Sequence, residues 1–251
     1  MGIQWEFYDM NIYDHSAKQD LTIPFTHLYV ERSGIAQSRT QPVLAEHSMF
    51  VQILNGPELR FVCMADHLPE LIAGHLLTEG FIRHGDEIAE ITVDETGMRA
   101  TVQLNTSLPD ARHPLSAFRG NDWSVEHVFS LADAFAGEMP LHNMTFAAHS
   151  CFLARKGKIL FACEDLGRHN ALDKAVGYAI VNHLDPAECI LYSSGRMPID
   201  MVSKAIRSGF PVLISKGSPT AGAVELAREY GLTLICSARR DGFKVFSDGR
   251  K

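Results

Sequence analysis

Four short segments of this sequence combine glycine with basic and hydroxyl side chains. They are Glu164–Asn170, Ser193–Met197, Lys216–Thr220 and Ser237–Gly242. Each contains a glycine and at least one arginine or lysine, although the chain as a whole carries a net charge of −7. Guanidinium groups and free backbone N–H groups are what a phosphate needs. The residue types therefore predict a site for a nucleotide or for a cofactor that contains a pyrophosphate.

Two arginines and one helix start carry this prediction most directly. Arg168 and Arg196 could each make bidentate contacts to phosphate oxygens. Ser218 and Pro219 have the form of an N-cap followed by the first residue of a helix, and only small residues come next. A helix that begins there would present unpaired N–H groups and a partial positive charge to an anion.

Two histidines are candidates for further chemistry. His169 and Asp173 are four residues apart, so in a helix they would share a face and the carboxylate could orient the imidazole as a base. Alternatively, Asn170 is the N-cap of the helix and Asp173, at position N3, completes the capping pair. His169 would then be a packed residue at the corner before the helix. Both interpretations stay open. His149 lies in an apolar stretch and is interpreted as a core histidine.

The cysteines do not form a recognisable metal or disulfide pattern. They are Cys63, Cys151, Cys163, Cys189 and Cys236, and no C-x-x-C occurs. A zinc knuckle would need paired thiolates, and a disulfide framework is not expected with this odd number at wide spacing. Most of the five have apolar neighbours, which predicts that they are small buried hydrophobes.

The elements that position the four segments alternate between strand and helix. Strands are predicted at 158–163, 189–192, 211–215 and 232–236, with 243–246 as a candidate for one more, and helices at 170–183, 198–208 and 219–230. This alternation is typical of an α/β fold with a mainly parallel sheet. Because ligands bind at the carboxyl ends of such strands, we expect all four segments at one edge of the sheet.

The preceding part of the chain has a different pattern of apolar residues. Residues 24–105 alternate like strands and contain turns typical of hairpins, with one helix at 68–80. The boundaries that follow are a β-rich part with one helix at 1–105, a linker loop and helix at 106–140, and an α/β cofactor-binding domain at 141–251. Within the linker, residues 124–136 are predicted to be helical.

Composition excludes several classes of protein. The acidic charge argues against a nucleic-acid-binding protein, which needs a basic surface. No apolar run approaches the roughly 18 residues that cross a bilayer, so a membrane protein is not expected. The start, Met1–Glu6, has neither a basic nor an apolar signal region. We therefore expect a cytoplasmic protein.

Several motifs resemble those of a known family. Glu164–Lys174 (EDLGRHNALDK) closely resembles the E-D-V-G-R-H-N-A-x-D-K signature of the FdhD-type formate dehydrogenase accessory proteins. Ser193–Arg196 with Met201–Ala205 resembles their S-G-R…M-V-x-K-A segment, and Gly209–Leu234 continues the likeness. Leu76–Ile82 resembles their L-x-x-E-G-I-I. The resemblance covers most of residues 42–247.

The resemblance implies a function in the maturation of a molybdenum enzyme. Family members are described as sulfur carriers, which pass sulfur from a cysteine desulfurase to molybdenum bis-(molybdopterin guanine dinucleotide) before its insertion into formate dehydrogenase. It further implies a cytidine-deaminase-like α/β sandwich with an appended β-rich part, and we add a homodimer as a candidate assembly. The ligand would be that cofactor or a guanine nucleotide, and no metal is expected to bind directly to the protein.

The family's cofactor-contacting segment after the last parallel strand falls on Ser237–Gly242. With the loop residues above, the candidate cofactor-binding set is Arg168, His169, Asn170, Ser194, Arg196, Lys216, Ser218, Thr220, Ser237, Ala238, Arg239, Arg240, Asp241 and Gly242.

The sequence departs from the family pattern where the sulfur chemistry should be. The family's C-G-x-C-G loop corresponds to Phe118–Glu126, and its cysteines would fall near Gly120 and Trp123, neither of which is a thiol. The family's T-G-G-x-H is Thr145–His149 here, and an arginine of the family corresponds to Gly242. Because persulfide transfer needs a thiolate, we expect cofactor binding without the carrier step.

Two alternatives stay open. One is a working sulfurtransferase that uses another cysteine, Cys151 or Cys163. The other is an enzyme that processes guanine nucleotides with His169 as its base.

Overall fold

The computed structural model describes residues 10–137 and 139–250. The expectation based on Met1–Glu6 therefore lies outside the described residues. Within them, no helix has both the length and the apolar character that a bilayer crossing requires.

The described residues form a strand-rich first part, followed by a part in which strands and helices alternate from β9 onward. The strands are β1 (Asn11–Asp14), β2 (Thr22–Val30), β3 (Ala36–Leu44), β4 (His47–Ile53), β5 (Glu58–Cys63), β6 (Ile88–Val93), β7 (Arg99–Leu104), β8 (His149–Arg155), β9 (Lys158–Asp165), β10 (Ile190–Ser193), β11 (Val212–Ser215), β12 (Thr233–Arg239) and β13 (Gly242–Ser247). The helices are α1 (Leu68–Thr78), α2 (Val125–Gly137), α3 (Pro140–Thr145), α4 (Arg168–Val181), α5 (Ile199–Arg207) and α6 (Ala221–Glu229).

The first sheet has five strands in the order β1-β6-β7-β4-β5. Its hairpins β4–β5 and β6–β7 confirm the prediction from the alternating pattern. Asn55 and Gly97, in the two connecting turns, have φ values of 61° and 69°. Both are in the left-handed region, which asparagine and glycine tolerate best.

The second sheet carries the four segments of interest. Its six strands have the order β13-β12-β11-β10-β8-β9. Strands β9, β10, β11 and β12 run in one direction, while β8 and β13 run in the other. This confirms the α/β class. The sheet itself is mixed and not mainly parallel, because only the pairs β10–β11 and β11–β12 are parallel while its other three pairs are antiparallel. The pattern of predicted strands did not include β8, which lies between β9 and β10.

Helices α1 and α4 join the two sheets through a very close contact. A Cβ added to Gly74 would overlap the carbonyl oxygen of Asp173, and one added to Gly177 would overlap that of Glu70. Only glycine at both positions lets the two helix backbones approach this far. One apolar core consequently runs from the first sheet, through both helices, to the second sheet.

Two predicted boundaries differ from the structure. Helix α4 begins at Arg168 with Gly167 as its N-cap, two residues before the predicted start. Strand β12 continues to Arg239, past a β-bulge that follows Cys236. The bulge lets the strand extend through Ser237, whose φ is 52°, so part of the predicted loop belongs to the sheet.

Candidate functional site

The carboxyl ends of four strands meet at one edge of the second sheet. Strands β9, β10, β11 and β12 end at Asp165, Ser193, Ser215 and Arg239. Because these strands share one direction, the segments that follow them emerge on the same side. The expectation that the four segments share one edge is confirmed, and we call this side the carboxyl edge.

The segments after β10 and β11 interlock through their backbones. The Ser215 hydroxyl donates to the carbonyl of Gly195 at 2.5 Å and accepts from the Gly217 N–H at 2.8 Å. The Lys216 N–H donates to the Ser193 carbonyl at 3.0 Å. A Cβ on Gly217 would press on the Gly195 carbonyl group. The centre of the carboxyl edge is therefore backbone without side chains, a surface that a phosphate can approach closely.

The side chain of Arg168 lies against this glycine surface. A Cβ on Gly195 would lie 3.0 Å from both Cβ and Cδ of Arg168. Within residues 10–137 and 139–250, the buried Nε of Arg168 has no hydrogen-bond partner. A buried N–H without a partner is costly, so this guanidinium is suited to an acceptor supplied by a ligand. Arg196, in the adjacent segment, is exposed.

His149 reaches the same edge from the opposite direction. Strand β8 is antiparallel to its neighbours, so its first residue lies beside the last residues of β10. The His149 Nδ1 is 3.3 Å from the Ser194 Oγ, which also accepts from the Ser150 N–H at 3.0 Å. Burial lowers the pKa of His149, and the Arg168 guanidinium lowers it further.

The interpretation of His149 as a core histidine is wrong. Its side chain is half-buried at the carboxyl edge. The available signal was its position in the stretch Thr145–His149, which departs from the family's T-G-G-x-H at both glycines but keeps the histidine.

Neither proposed role for His169 and Asn170 matches the contacts. The His169 Nε2 lies 3.3 Å from the Asp200 Oδ2 of α5, so its carboxylate neighbour is not Asp173. Burial lowers the pKa of His169, whereas Asp200 opposes this shift. Asn170 is not the N-cap, because its side chain donates to Asp165 and to the Val62 carbonyl, both at 2.8 Å. Asn170 thus ties α4 to the first sheet.

Asp173 belongs to a buried network behind the site. Its carboxylate accepts from the Lys204 Nζ at 2.7 and 2.8 Å and from the Thr78 hydroxyl at 2.8 Å, and it lies 3.1 Å from the His75 Nδ1. Burial alone would raise the pKa of Asp173, but Lys204 and His75 hold it below its usual value. Since Asp173 is almost fully buried, it holds α1, α4 and α5 together instead of facing a ligand.

A cavity of about 250 Å³ lies beside the end of β12. Its walls include the rings of Phe135 and Tyr192, and the Tyr192 hydroxyl donates to the Ala238 carbonyl at 2.9 Å. Five predicted residues contribute to the lining: Lys216, Ala238, Arg239, Arg240 and Asp241. The cavity combines aromatic surface with charged side chains, as a pocket for one planar ring system would.

The remaining predicted residues are at the carboxyl edge, but one assigned role is wrong. The N-cap of α6 is Thr220 and not Ser218, and the helix begins at Ala221. Pro219 forms a β-bridge with Met197, so the chain stays extended for two residues more than predicted. Ser218 is exposed. The Ser237 N–H donates to the Gly217 carbonyl at 2.8 Å. Gly242 begins β13 with open space around it.

The stretch that contains Gly120 and Trp123 lies at the opposite edge. The Asn121 side chain accepts from the hydroxyl of Thr233, the first residue of β12, at 2.9 Å. Trp123 is 95% buried, since its exposed fraction is 5%. Its indole N–H donates to Asp248 at 3.3 Å, and the Arg250 guanidinium covers its ring at 4.2 Å. The backbone of this stretch therefore lies at the amino-terminal ends of β11 and β12. The Trp123 ring nevertheless packs against Phe243, which follows Gly242, with the ring centroids 6.0 Å apart.

All five cysteines are buried, each with less than 5% of its surface exposed. Burial raises the pKa of Cys189 to about 11 and the pKa values of Cys63 and Cys236 to about 12. The pKa values of Cys151 and Cys163 are raised even more, again chiefly by burial. No group of three or more potential metal ligands occurs among the described residues.

A larger cleft of about 890 Å³ lies elsewhere in the protein, between the loop of residues 83–86 and the carboxyl-terminal ends of α4 and α5. Its floor is apolar, and Arg83, His84, His183 and Arg207 are among its lining residues. No residue of the predicted site lines it, and the sequence patterns did not single it out.

Comparisons with known proteins agree with this architecture. Residues 110–251 match the FdhD/NarQ family. The sulfur carrier protein FdhD of Bacillus pumilus is 30% identical over 242 residues, covering 86% of this chain and 92% of the relative. Protein FdhD of Methanocaldococcus jannaschii is 48% identical over 199 residues, covering 78% of this chain and 85% of the relative.

A solved structure matches as well. It is the "crystal structure of a putative formate dehydrogenase accessory protein from Desulfotalea psychrophila", with a TM-score of 0.78 and 27% sequence identity. The match covers 91% of this chain and 97% of that protein. The sequence match and the shared architecture establish that the chain belongs to the FdhD/NarQ family.

Proposed function

We propose that this protein assists the maturation of formate dehydrogenase by binding the molybdenum bis-guanine-dinucleotide cofactor at its carboxyl edge. Support for the client enzyme comes from the similar proteins, one named a sulfur carrier protein and another a putative formate dehydrogenase accessory protein. The observation that carries the ligand proposal is the buried Nε of Arg168 beside the backbone of Gly195, since this atom has no hydrogen-bond partner in the part of the chain that the structure describes.

The residues present fit a guanine dinucleotide. Its phosphates would be held by Arg168, Ser194 and the backbone around Gly195 and Gly217. Arg168, the first residue of α4, adds the free N–H groups and the positive end of a 14-residue helix. The cavity lined by Phe135, Tyr192 and the end of β12 is too small for a whole dinucleotide but suits one base. The molybdenum is cargo in this proposal, and the protein residues bind and orient the nucleotide part.

The thiols argue against sulfur transfer by this chain alone. No cysteine occurs between Cys63 and Cys151. A sulfur carrier needs an accessible thiolate that can reach its donor, whereas every cysteine here is buried with a raised pKa. The alternative of Cys151 or Cys163 as the carrier is therefore less favoured. The cysteine desulfurase stays a predicted partner, and sulfur transfer from it would need an accessible thiol on another protein.

The alternative of a guanine-nucleotide-processing enzyme has weaker support. His169 is half-buried and paired with Asp200. Incubation with guanosine diphosphate, followed by chromatography of the nucleotide, tests this alternative. A processing enzyme would form a new product, whereas a protein that only binds the nucleotide would leave it unchanged.

Titration calorimetry with guanosine diphosphate, a surrogate for the cofactor, tests the main proposal. Arg168→Ala should weaken binding by about 1.5–3 kcal/mol, the range for a hydrogen bond to a charged group. Arg196→Ala should act in the same direction if that guanidinium also contacts phosphate. Arg155→Ala is the matched control, because Arg155 is half-exposed and pairs with Glu188 at the other end of β8.

Binding by the unaltered protein that persists unchanged in Arg168→Ala would contradict the assigned contact. No binding of guanosine diphosphate at all would contradict the ligand proposal itself.

A further inference from the structure

Phe146 combines a strained backbone with an exposed aromatic ring. It follows α3 with a φ of 56°, in the left-handed region that glycine adopts freely and a bulky residue disfavours. Its side chain is 82% exposed, the highest value for a large apolar side chain within residues 10–137 and 139–250. Neither local backbone preference nor burial accounts for phenylalanine at this position, which is a reason to look for a function.

The turn that carries Phe146 is held in place by its neighbours. The buried carboxylate of Glu164 accepts from the N–H groups of Leu141 and His142 at 2.9 and 2.7 Å. The Nδ1 of His142 lies 2.8 Å from the Ala148 carbonyl, and the Phe146 N–H donates to the His142 carbonyl at 2.8 Å. A strained conformation persists where the surrounding structure fixes it, and such positions cluster at ligand sites. The ring is therefore presented from a fixed backbone.

This turn is at one side of the carboxyl edge. Phe146 lies three residues before His149, the first residue of β8. The strand order β12-β11-β10-β8 places three features in sequence along the edge: the cavity beside β12, the backbone of Gly195 and Gly217 after β10 and β11, and the turn before β8. Neighbouring strands are about 4.8 Å apart, so the three steps from β12 to β8 span about 14 Å.

The proposed ligand has its groups in the same order. In each dinucleotide unit, guanine and pterin are planar ring systems on opposite sides of one pyrophosphate. With guanine in the cavity and the pyrophosphate on the backbone of Gly195 and Gly217, the pterin would extend toward the turn before β8. An exposed aromatic side chain binds such a ring system by stacking.

We propose that Phe146 stacks on the ring system at the far end of the pyrophosphate, and that it makes the site selective for a dinucleotide. The inference rests on the proposed function, because the position of the pyrophosphate is taken from Arg168 and the glycine backbone beside it. The edge-on contact of the His142 ring, with centroids 6.2 Å apart, supports the Phe146 ring.

Titration calorimetry with two compounds of equal charge tests the contact. Diguanosine diphosphate has a guanosine at each end of one pyrophosphate, and its second guanine represents the pterin because both contain a fused aminopyrimidinone ring. Guanosine diphosphate mannose has a sugar at that end instead. The unaltered protein should bind diguanosine diphosphate about 5- to 150-fold more tightly, the range that one stacked base contributes.

Three variants separate stacking from a structural effect. Phe146→Gly should reduce the ratio of the two affinities to about one and leave the affinity for guanosine diphosphate mannose unchanged. It should fold, because glycine adopts this φ without strain. Phe146→Tyr keeps an aromatic face and should retain the ratio. Lys156→Gly is the matched control, because Lys156 has a φ of 51° in the turn at the other end of β8, and it should retain the ratio as well.

The outcomes distinguish this inference from the proposed function. A ratio near one in the unaltered protein, or an unchanged ratio in Phe146→Gly, would overturn stacking by Phe146 while binding of guanosine diphosphate still supports the proposed function. Loss of the ratio in Phe146→Tyr or in Lys156→Gly would overturn it too. If the unaltered protein binds neither these compounds nor guanosine diphosphate, the ligand proposal and this inference are both wrong.

Discussion

At the residue scale, Arg168 and the cysteines have opposite chemical properties. Arg168 has a buried N–H without a partner among the described residues and lies against a glycine backbone, which is an arrangement suited to an anion. The thiols have the opposite environment, because burial favours the neutral form of each one. The fold thus leaves the Arg168 guanidinium with an N–H for a ligand, while it keeps the cysteine thiols protonated and inaccessible to other molecules.

The native protein should not acquire a persulfide. We expect no stoichiometric gain of sulfur after incubation with a cysteine desulfurase and cysteine, as read from the intact mass. The reason is that burial raises every thiol pKa, from about 11 for Cys189 upward, and prevents contact with the donor.

Labelling with iodoacetamide provides the control for this prediction. All five cysteines should react in denaturant and none should react quickly in the native protein, while an introduced Ser218→Cys on the exposed loop should react at once. A gain of one sulfur that reductant removes and that one cysteine substitution abolishes would assign the carrier step to that cysteine.

At the element scale, the contact between α1 and α4 determines how the two sheets sit on one another. The two glycines allow backbone-to-backbone contact, and the network of Asp173, Lys204 and His75 lies beside it. Removal of one partner of a buried ion pair strongly destabilises a protein, because the other charge is left buried without a partner. This helix pair therefore supports the carboxyl edge, since α4 also carries Arg168 at its start.

Gly177→Ala should destabilise the protein by about 3 kcal/mol or more, because the new methyl group would overlap the Glu70 carbonyl and force the helices apart. Urea unfolding measures this change. Gly222→Ala is the matched control: it lies in α6, where a Cβ would make only an ordinary contact at 3.5 Å with Ile199. It should change stability by less than about 1 kcal/mol, in the stabilising direction. Equal effects of the two substitutions would contradict the close-contact argument.

At the scale of the whole molecule, several shifted pKa values act on stability in the same direction. His149 and His169 have pKa values lowered from 6.5, chiefly by burial. Burial alone would raise the pKa values of Glu79 and Asp173, but Lys204 holds them below 4.5 and 3.8, respectively. In all four cases the unfolded chain binds a proton more readily than the folded protein does.

The free energy of unfolding should therefore decrease in two stages on acidification. The contribution of the histidines is complete above pH 6.5 and is lost as the pH falls through their lowered pKa values. The contribution of the carboxylates is complete above pH 4.5 and is lost below it. Urea midpoints measured across this range test the order of the stages. A double variant His149→Gln and His169→Gln should have a smaller first stage, because His113, whose pKa is also lowered, remains. An unchanged profile in that variant would assign the first stage to other groups.

Much of the carboxyl edge could be derived from the sequence alone. Strand–helix alternation is a local pattern, and strands joined by helical crossovers run parallel. The segments Glu164–Asn170, Ser193–Met197 and Lys216–Thr220 therefore had to emerge together. The motif Glu164–Lys174 pointed to the family for the same reason, since it is continuous in sequence.

Only the tertiary structure decided which distant residues join these loops. Strand β8 lies between β9 and β10 and brings His149 to Ser194, whereas the helical period had suggested a pair between His169 and Asp173. Asp173 instead binds Lys204, which is 31 residues away in sequence. Strand order and helix packing depend on long-range burial and hydrogen bonding, which local periodicity does not encode. For the same physical reason, the position of Asn121 at the opposite edge could be read only from the folded chain.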